Sequence, residues 1–323
     1  MIIEMTRTGL TTAKRRLRAT YIHHILWGGL CLLLLGLLMA IWFHSQQLNR
    51  QSLALEQQIA MQSQAPCTAR DSWQSDTTRS FTIESNSTKR TYLVHLPKDF
   101  KSTQYYPAVL FFPGKGGSAS DGERVFKPSG IPAVAIFPQP TIGKDGVYSW
   151  QGAPYSSGSD DVRFVADILD RISGQLCISR SHIYAAGMSN GGGMVSLLSC
   201  QMPDRIAAFG IVGGAFYYPT SDCEPKAPAP VINIHGDKDS IVPYNGSLQR
   251  RLPKIDDWAA FRATENDCSM RPYVTSTTTS VTTTWQFCRD NATVQNVKLL
   301  GVGHVWMTNA TETVWNFFKT QSL

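Results

Sequence analysis

A serine flanked by glycines lies at the centre of the sequence, in the run Gly187-Met188-Ser189-Asn190-Gly191. Glycine two residues before and two residues after a serine is typical of a sharp strand-to-helix turn, where neighbouring backbones pack too closely for side chains. An apolar segment, HIYAAG, leads into this run, and a glycine-rich helix start follows it. Such a turn exposes the serine Oγ above a sheet, so the pattern predicts that Ser189 is a nucleophile.

A serine hydroxyl at its ordinary pKa is a poor nucleophile and needs a histidine base, which in turn needs an acid to orient it. On a strand-to-helix turn of this kind, the partners follow the serine in the order acid, then histidine. Asp239 follows a strand-like segment, and of the seven histidines only His304 follows both partners. We therefore predict a triad of Ser189, Asp239 and His304. Asp237 is the alternative acid, although its position favours capping of the turn.

Acyl transfer also requires two N–H groups directed at the negative charge that develops on the carbonyl oxygen. The backbone N–H of Asn190 is one candidate, because it follows the nucleophile and begins a helix. The second is expected in the glycine-rich loop 112–117, where we choose Lys115; an ordinary turn is the alternative. Three aromatic side chains are candidates for a substrate pocket or, equally, for the core: Trp150, Tyr155 and Trp306.

The elements that must position these residues follow from the apolar pattern. From Arg79 onward, apolar runs of strand length alternate with helical patterns, which predicts a mostly parallel sheet with helices on both faces. The candidate strands are 91–96, 108–112, 133–137, 183–186, 207–212, 231–235 and 297–300, and the candidate helices are 160–172, 190–200, 248–266 and 312–319. The threonine-rich stretch 273–284 predicts an exposed hairpin.

An apolar segment without charged residues occupies positions 25–43, near the amino end. As a helix it spans roughly 28 Å, which matches a bilayer core, and a basic cluster before it predicts a cytoplasmic amino terminus. A cleaved signal peptide is the alternative, but the run is longer than usual and no small-x-small cleavage site follows. We expect a cytoplasmic tail over 1–21, a transmembrane helix over 22–43, a glutamine-rich stalk over 44–78 and a catalytic domain over 79–323.

Composition limits the class of protein further. A hydrophobic content of 42% with 17% charged residues is typical of a packed domain. The net charge is +6, but the first 18 residues hold five basic residues against one acidic residue, so the remainder is nearly neutral and nucleic acid is not an expected partner. The sequence does not fix the oligomeric state.

Seven cysteines and four glycosylation sequons bear on the compartment. Cys31 lies in the apolar segment, and the other six follow it, an even number suited to an oxidising compartment. There is no CxxC motif and no paired histidine spacing, so the spacing does not predict a zinc site. We expect no cofactor. The sequons begin at Asn86, Asn245, Asn291 and Asn309.

Over roughly residues 91–318, the chain resembles the feruloyl esterase and polyhydroxybutyrate depolymerase-like group of carboxylic ester hydrolases. The resemblance rests on six ordered segments: WQGAPY (150–155), DDVRFV (160–165), GMSNGGGM (187–194), RIAAF (205–209), HGDKDSIVPYNG (235–246) and GVGHVW (301–306). It implies an α/β-hydrolase fold and a metal-free serine esterase, with the nucleophile at Ser189, the acid at Asp239 and the base at His304.

The resemblance also implies a disulfide between Cys268 and Cys288, and it leaves Cys67, Cys177, Cys200 and Cys223 without assigned partners. The chain departs from the group at Pro113-Gly114, where His-Gly is usual, and this leaves the geometry of the oxyanion loop open.

The function expected from the residues and the resemblance is cleavage of phenolic acyl esters through an acyl-enzyme. An enzyme fixed to a membrane reaches small or oligomeric esters more readily than insoluble polymer. The alternatives are a polyhydroxybutyrate depolymerase or acetyl esterase, an acyltransferase to a carbohydrate acceptor, and a surface binding module without catalysis.

Overall fold

The computed structural model describes residues 35–47, 67–70, 72–217, 223, 225 and 227–323. The chain divides into two compact units, Met1–Pro66 and Cys67–Leu323. In the first unit, residues 35–47 form helix α1, whose side chains are exposed. The rest of the predicted tail and membrane helix, and the stalk from 48 to 66, lie outside the described residues. Within the described part of the chain, no helix combines the length and the apolar character needed to cross a membrane.

The second unit contains twelve strands and five helices among its described residues. In chain order the strands are β1 (Thr78–Ser85), β2 (Thr88–His95), β3 (Tyr106–Phe112), β4 (Val134–Pro138), β5 (Thr141–Ile142), β6 (Tyr148–Ser149), β7 (Ile178–Met188), β8 (Ala208–Val212), β9 (Val231–Gly236), β10 (Tyr273–Ser276), β11 (Ser280–Trp285) and β12 (Val294–Leu299). The helices are α2 (Ala119–Phe126), α3 (Asp161–Ser173), α4 (Asn190–Gln201), α5 (Ile255–Glu265) and α6 (Ala310–Phe318).

Ten of these strands form one sheet in the order β1-β2-β4-β3-β7-β8-β9-β12-β11-β10, and β5 pairs with β6 in a separate hairpin. The six central strands, from β4 to β12, are parallel, whereas both edges are antiparallel. Every residue of β4, β8 and β9 is buried, as expected of strands that are covered on both faces. The carboxyl ends of β7, β8, β9 and β12 therefore lie together along one edge.

The core lies in two layers, one on each face of the sheet. Helix α3 begins with a side-chain cap, as its sequence predicts. Asp160 accepts a hydrogen bond from the N–H of Arg163 at 2.9 Å. Its buried side chains recur at helical spacing, with Phe164, Ile168 and Ile172 among them, and they pack in the larger layer. The smaller layer lies beneath α2 and α6.

The structure differs from the sequence expectation at several elements. The helix predicted over 248–266 begins only at Ile255, because a bridge between Ser247 and Leu252 closes a turn and Arg251 adopts a left-handed φ of 55°. Strands β1, β5 and β6 and helix α2 were not predicted from the sequence. The exposed hairpin predicted over 273–284 is confirmed as β10 and β11, and every residue of β10 is exposed.

Three disulfides join the second unit: Cys67–Cys177, Cys200–Cys223 and Cys268–Cys288. The last of these is the pair that the family resemblance implied. The first includes Cys67 in the compact unit, which therefore starts before position 79. Backbone hydrogen bonds from Ala69 and Arg70 to the loops at Ser102 and Gln175 secure the same segment.

Candidate active site

Ser189 forms the turn between β7 and α4, with φ 55° and ψ −122°. Its N–H donates to the Val212 carbonyl at 3.0 Å, and its carbonyl accepts from Gly193 at 3.0 Å and from Ala215 at 2.9 Å. A non-glycine residue in this conformation is strained and persists only where its surroundings fix it. These three bonds hold the half-buried Ser189 at the carboxyl edge of the sheet.

The glycines around Ser189 are required by close packing. A β-carbon on Gly191 would lie 2.0 Å from the Phe112 carbonyl oxygen, and one on Gly187 would lie 2.5 Å from the Gly191 oxygen. Gly192 approaches Gly214, with a built β-carbon 2.9 Å from its Cα. The first turn of α4 thus packs directly on the backbones of β3 and β7, as the spacing of glycines around the serine predicts.

Asp239 follows β9 and is only 5% exposed. Its Oδ1 accepts from the N–H groups of Ile241 (2.9 Å) and Val242 (2.7 Å), while its Oδ2 lies 2.6 Å from Nδ1 of His304 and 3.2 Å from Nε2 of His235. Burial alone raises the pKa of Asp239, but hydrogen bonds from His235, His304 and Val242 outweigh it and lower the pKa to about 2.

The ionised carboxylate of Asp239 determines the tautomer of His304. A carboxylate without a proton only accepts hydrogen bonds, so Nδ1 of His304 carries the hydrogen and donates it. Nε2 of the neutral ring is then left with a lone pair, which is the state a general base requires.

Gly213 connects this pair with the serine turn. It follows β8, and a β-carbon there would lie 3.2 Å from both Cε1 and Nδ1 of His304 and 3.5 Å from Oδ2 of Asp239. Val212 and Ala215, which bond to the Ser189 backbone, flank it. The segment 212–215 therefore contacts both the serine turn and the imidazole. This contact was not predicted, although the Gly213-Gly214 pair directly after a predicted strand was an available signal.

Asp237, the alternative acid, bonds to the histidine loop. Its Oδ1 accepts from the N–H of Gly301 at 2.7 Å, and the neighbouring Lys238 N–H donates to the Val302 carbonyl at 2.9 Å. These bonds join the loop after β9 to the loop after β12, which carries His304. Asp237 thus helps to hold the histidine loop, and Asp239 faces the ring itself.

The loop 113–117 comes close to Ser189 at Gly114, where a built β-carbon would lie 3.3 Å from Cβ and 3.8 Å from Oγ of the serine. The N–H groups of Gly116 and Gly117 donate within the protein, to Tyr148 and Gly114. Lys115 forms an ion pair with Asp145 through its side chain. Asn190 is the first residue of α4, and such an N–H has no acceptor within the helix.

The three aromatic candidates occupy different environments. Trp150 is completely buried, donates from Nε1 to the Pro113 carbonyl at 2.9 Å and packs edge-on against Phe112, so it takes the core position that was its alternative. Tyr155 is half-buried and meets Tyr217 edge-on at a centroid distance of 5.8 Å. Burial raises the pKa of Tyr155, and the neighbouring Tyr217 adds to the rise.

Trp306 lines a cleft of about 370 Å³ beside His304. Its ring contacts Phe111 edge-on at 5.0 Å, and its Nε1 donates to Oγ1 of Thr311 at 3.2 Å. The remaining lining residues are Arg124, Val125, Lys127, Met188, Val305, Met307 and Thr308. The described residues contain no group of three or more histidine, cysteine or acidic side chains that could hold a metal ion.

Comparison with solved structures assigns the fold. A thermostable esterase superposes with a TM-score of 0.55 at 18% identity, covering 77% of this chain and 64% of that one. An acetyl xylan esterase from Aspergillus awamori gives 0.54 at 16% identity, covering 74% and 99%. The ferulic acid esterase AmCE1/Fae1A from Anaeromyces mucronatus, also solved with ferulic acid, gives 0.51 at 13% identity, covering 79% and 94% without the ligand. The fold is that of the α/β-hydrolases.

Proteins with similar sequences include several named esterases. Feruloyl esterase B of Piromyces equi is 30% identical over 174 residues, which are 50% of this chain and 31% of that protein. The putative esterase NocK of Nocardia uniformis subsp. tsuyamanensis is 33% identical over 147 residues, 43% and 42% of the two chains. Probable feruloyl esterase C of Aspergillus clavatus is 28% identical over 167 residues, 49% and 58%. The resemblance to feruloyl esterase-like α/β-hydrolases is confirmed, although the chain spans less than two thirds of these relatives. No protein-family model matches it.

Proposed function

We propose that this chain is a carboxylic ester hydrolase that acts through Ser189, His304 and Asp239. The observation that carries the proposal is the 2.6 Å contact between Asp239 Oδ2 and His304 Nδ1, on a ring that packs against the segment bonded to the Ser189 backbone. Strain at a nucleophile turn, a buried ionised acid and a base of the required tautomer support the same chemistry. The named esterases among the relatives support it independently.

In the proposed mechanism, Oγ of Ser189 attacks the ester carbonyl carbon while Nε2 of His304 takes its proton. The N–H groups of Asn190 and Lys115 stabilise the oxyanion of the tetrahedral intermediate. The C–O bond to the alcohol then breaks, and the imidazolium returns the proton to the leaving alcohol. Water, activated by the same nitrogen, attacks the acyl-serine and releases the carboxylic acid. Asp239 stabilises the imidazolium in both halves.

The proposed substrates are phenolic acyl esters of small or oligomeric alcohols. Several relatives are named feruloyl esterases, and a solved neighbour holds ferulic acid. Tyr155 and Trp306 are only partly buried, so their rings retain surface on which an aromatic acyl group can stack. A second candidate is an acetyl ester, because an acetyl xylan esterase has the same fold. A hydroxybutyrate oligomer is the remaining hydrolase alternative.

A panel of esters tests the proposal. Purified protein is assayed with methyl ferulate, acetylated xylo-oligosaccharides and hydroxybutyrate oligomers, beside Ser189→Ala and the matched control Ser173→Ala, on α3. We expect methyl ferulate to turn over fastest, and Ser189→Ala alone to lose both turnover and labelling by a fluorophosphonate. Turnover by Ser189→Ala at the wild-type rate would contradict the proposed nucleophile, and preference for acetyl esters would favour the second candidate.

The proposed location is the outer side of a membrane, with a cytoplasmic tail over 1–21, an anchor over 22–43 and a stalk that begins at 44 and ends before the compact unit at Cys67. Positions 25–43 lack charge, and helix α1 exposes apolar side chains such as Leu37 and Leu38. Three disulfides favour an oxidising compartment. The four sequon asparagines are exposed and would accept glycans in a host that adds them. Secretion after cleavage of the segment is the alternative.

Carbonate extraction of membranes separates the two locations. An anchored protein stays in the pellet at high pH, and deletion of residues 1–43 moves it to the supernatant. The anchor would be contradicted if cells that express the full sequence release a protein whose amino terminus lies beyond residue 43.

A further inference from the structure

We propose that Trp150 is a positioning residue that holds the two segments supplying the oxyanion N–H groups in a fixed relation to each other; this rests on the proposed esterase function. Trp150 bonds to both segments at once. Its indole Nε1 donates to the carbonyl of Pro113, two residues before Lys115, at 2.9 Å, and its backbone N–H donates to Oδ1 of Asn190 at 2.8 Å. One buried residue thus bridges the loop after β3 and the first turn of α4.

Neighbours of Trp150 hold the same loop at two further points. The Tyr148 carbonyl accepts from the N–H of Gly116 at 2.8 Å, and Asp145 forms the ion pair with Lys115. Residues 145–150, called here the supporting strap, therefore contact the loop at Pro113, Lys115 and Gly116. The Asp145–Lys115 pair is partly exposed and adds little by itself. The indole bond is buried, where a lost partner leaves the Pro113 carbonyl unsatisfied.

Gln151, which directly follows the supporting strap, bonds to the start of α3. Its side-chain Oε1 accepts from the N–H groups of Asp161 (2.8 Å) and Val162 (3.3 Å), and its backbone N–H donates to Oδ2 of Asp161 at 2.8 Å. Asp161 also pairs with Arg90 at 2.8 Å, with both side chains buried. Displacement of Trp150 would therefore disturb the start of α3 and a buried ion pair. The WQGAPY and DDVRFV segments thus form one support beneath the proposed oxyanion site.

Pro113 makes the indole bond more important in this chain. Proline has no N–H, so its carbonyl is the only backbone hydrogen-bonding group with which this residue can fix the loop. That carbonyl accepts from Trp150. The donors of an oxyanion hole act by being held in place before the charge develops, and removal of one such donor costs about 10²–10³ in kcat. Loss of the indole N–H should loosen the loop without removing a donor, which predicts a smaller effect.

Trp150→Phe tests the proposal, because it keeps a buried ring and deletes the N–H. The matched control is Trp285→Phe, a buried tryptophan on β11. Active sites are titrated with a fluorophosphonate, and kcat, KM and the Ki of a trifluoromethyl ketone, which forms a tetrahedral adduct, are measured on the full chain. We expect kcat per titrated site to fall about 10- to 100-fold, Ki to rise in parallel, KM to change less than twofold, and the control to match wild type.

A second variant, Asn190→Ala, removes the acceptor for the Trp150 backbone N–H and keeps the N–H of residue 190. We expect Asn190→Ala also to lower kcat and to leave KM nearly unchanged. If Trp150→Phe fails to fold, this variant alone tests the positioning role. The positioning role would be overturned if the variants that fold keep the wild-type kcat per site and the wild-type Ki, whatever their melting temperatures. The esterase proposal would then remain intact. Absence of ester turnover in the wild type would overturn both.

Discussion

At the scale of single residues, Asp239 is notable because its carboxylate lies between two imidazoles. His304 approaches Oδ2 at 2.6 Å, and His235, completely buried, approaches the same oxygen at 3.2 Å while its Nε2 lies 2.8 Å from the Val242 carbonyl. The second histidine was visible in the sequence only as the end of a strand. In the fold it limits where the acid can lie, and so it limits the orientation of His304.

Replacing Asp239 with asparagine should leave the fold intact and slow turnover. An amide in this position favours the wrong histidine tautomer, and the corresponding change in a serine protease lowers kcat by about 10⁴. We expect a loss of similar order in kcat for the best ester of the panel. Asp237→Asn is the matched control, and it should retain most activity because Asp237 bonds to Gly301 rather than to the ring. Equal losses in the two variants would contradict the choice of acid.

The low pKa of Asp239 also predicts how stability depends on pH. Its folded-state pKa of about 2 lies below the unfolded value of about 3.9, so the folded state favours the ionised form. This stabilisation is fully present above the unfolded pKa and is lost as pH falls from about 4 to about 2. The difference in urea midpoint between wild type and Asp239→Asn should therefore be constant from pH 7 to 5 and shrink below pH 4. A difference that stays constant to pH 2 would contradict the shift.

The sequence indicated the candidate catalytic residues more directly than the contacts that hold them. Ser189, Asp239 and His304 could be proposed together because their order and flanking segments are typical of this turn. Gly213 and the bonding role of Trp150 were not predicted, because each acts through a contact between segments far apart in the chain, and no local pattern records such a contact.

At the scale of elements, the serine turn depends on how closely α4 approaches the sheet. The approach is set at Gly191, whose Cα faces the Phe112 carbonyl without room for a methyl group. Backbone atoms cannot move aside as a flexible side chain can. The serine turn, the strand β3 and the loop 113–117 that follows it are thus packed together through backbone atoms.

Gly191→Ala should therefore destabilise the protein. An added β-carbon would lie 2.0 Å from the Phe112 oxygen, and relieving such an overlap costs about 1–3 kcal/mol or more. We expect a fall of several degrees in melting temperature and loss of esterase activity. Gly130→Ala is the control, because no atom lies within 4 Å of its built β-carbon. An unchanged melting temperature in Gly191→Ala would show that the backbone can yield.

Elements were predicted well where burial dominates the pattern. The central strands β4, β8 and β9 are buried throughout and were found as continuous apolar runs. Strand β1 was missed because its burial alternates along an antiparallel edge, and α2 because it is only eight residues long. The start of α5 at Ile255 depends on the turn closed by Ser247 and Leu252, and the apolar periodicity of the sequence does not reveal such a turn.

At the scale of the whole second unit, the disulfides connect segments of very different separation. Cys67 and Cys177 are 110 residues apart, whereas Cys200 and Cys223 are 23 apart. In the chain-entropy model, a longer closed loop restricts the unfolded chain more. The first bridge should therefore contribute about 5 kcal/mol to the free energy of unfolding and the second about 3 kcal/mol.

Paired serine variants measure this difference. We expect Cys67→Ser with Cys177→Ser to lower the urea midpoint more than Cys200→Ser with Cys223→Ser. Both should keep wild-type kcat per titrated site, because none of these cysteines bonds to the serine turn or to His304. The reverse order of midpoints would mean that local packing around Cys200 and Cys223 outweighs chain entropy.

The parallel arrangement of β7, β8, β9 and β12 determines which segments of this protein can accept insertions and mutations. The proposed nucleophile, acid and base each follow a strand at the same edge of the sheet, on loops that the strands hold in register. Insertions between Asp239 and α5 would remodel the loops at this edge of the sheet while the strands beneath keep their register. Directed evolution toward a new leaving group should accordingly accumulate its successful mutations between Asp239 and α5 and spare the apolar strands.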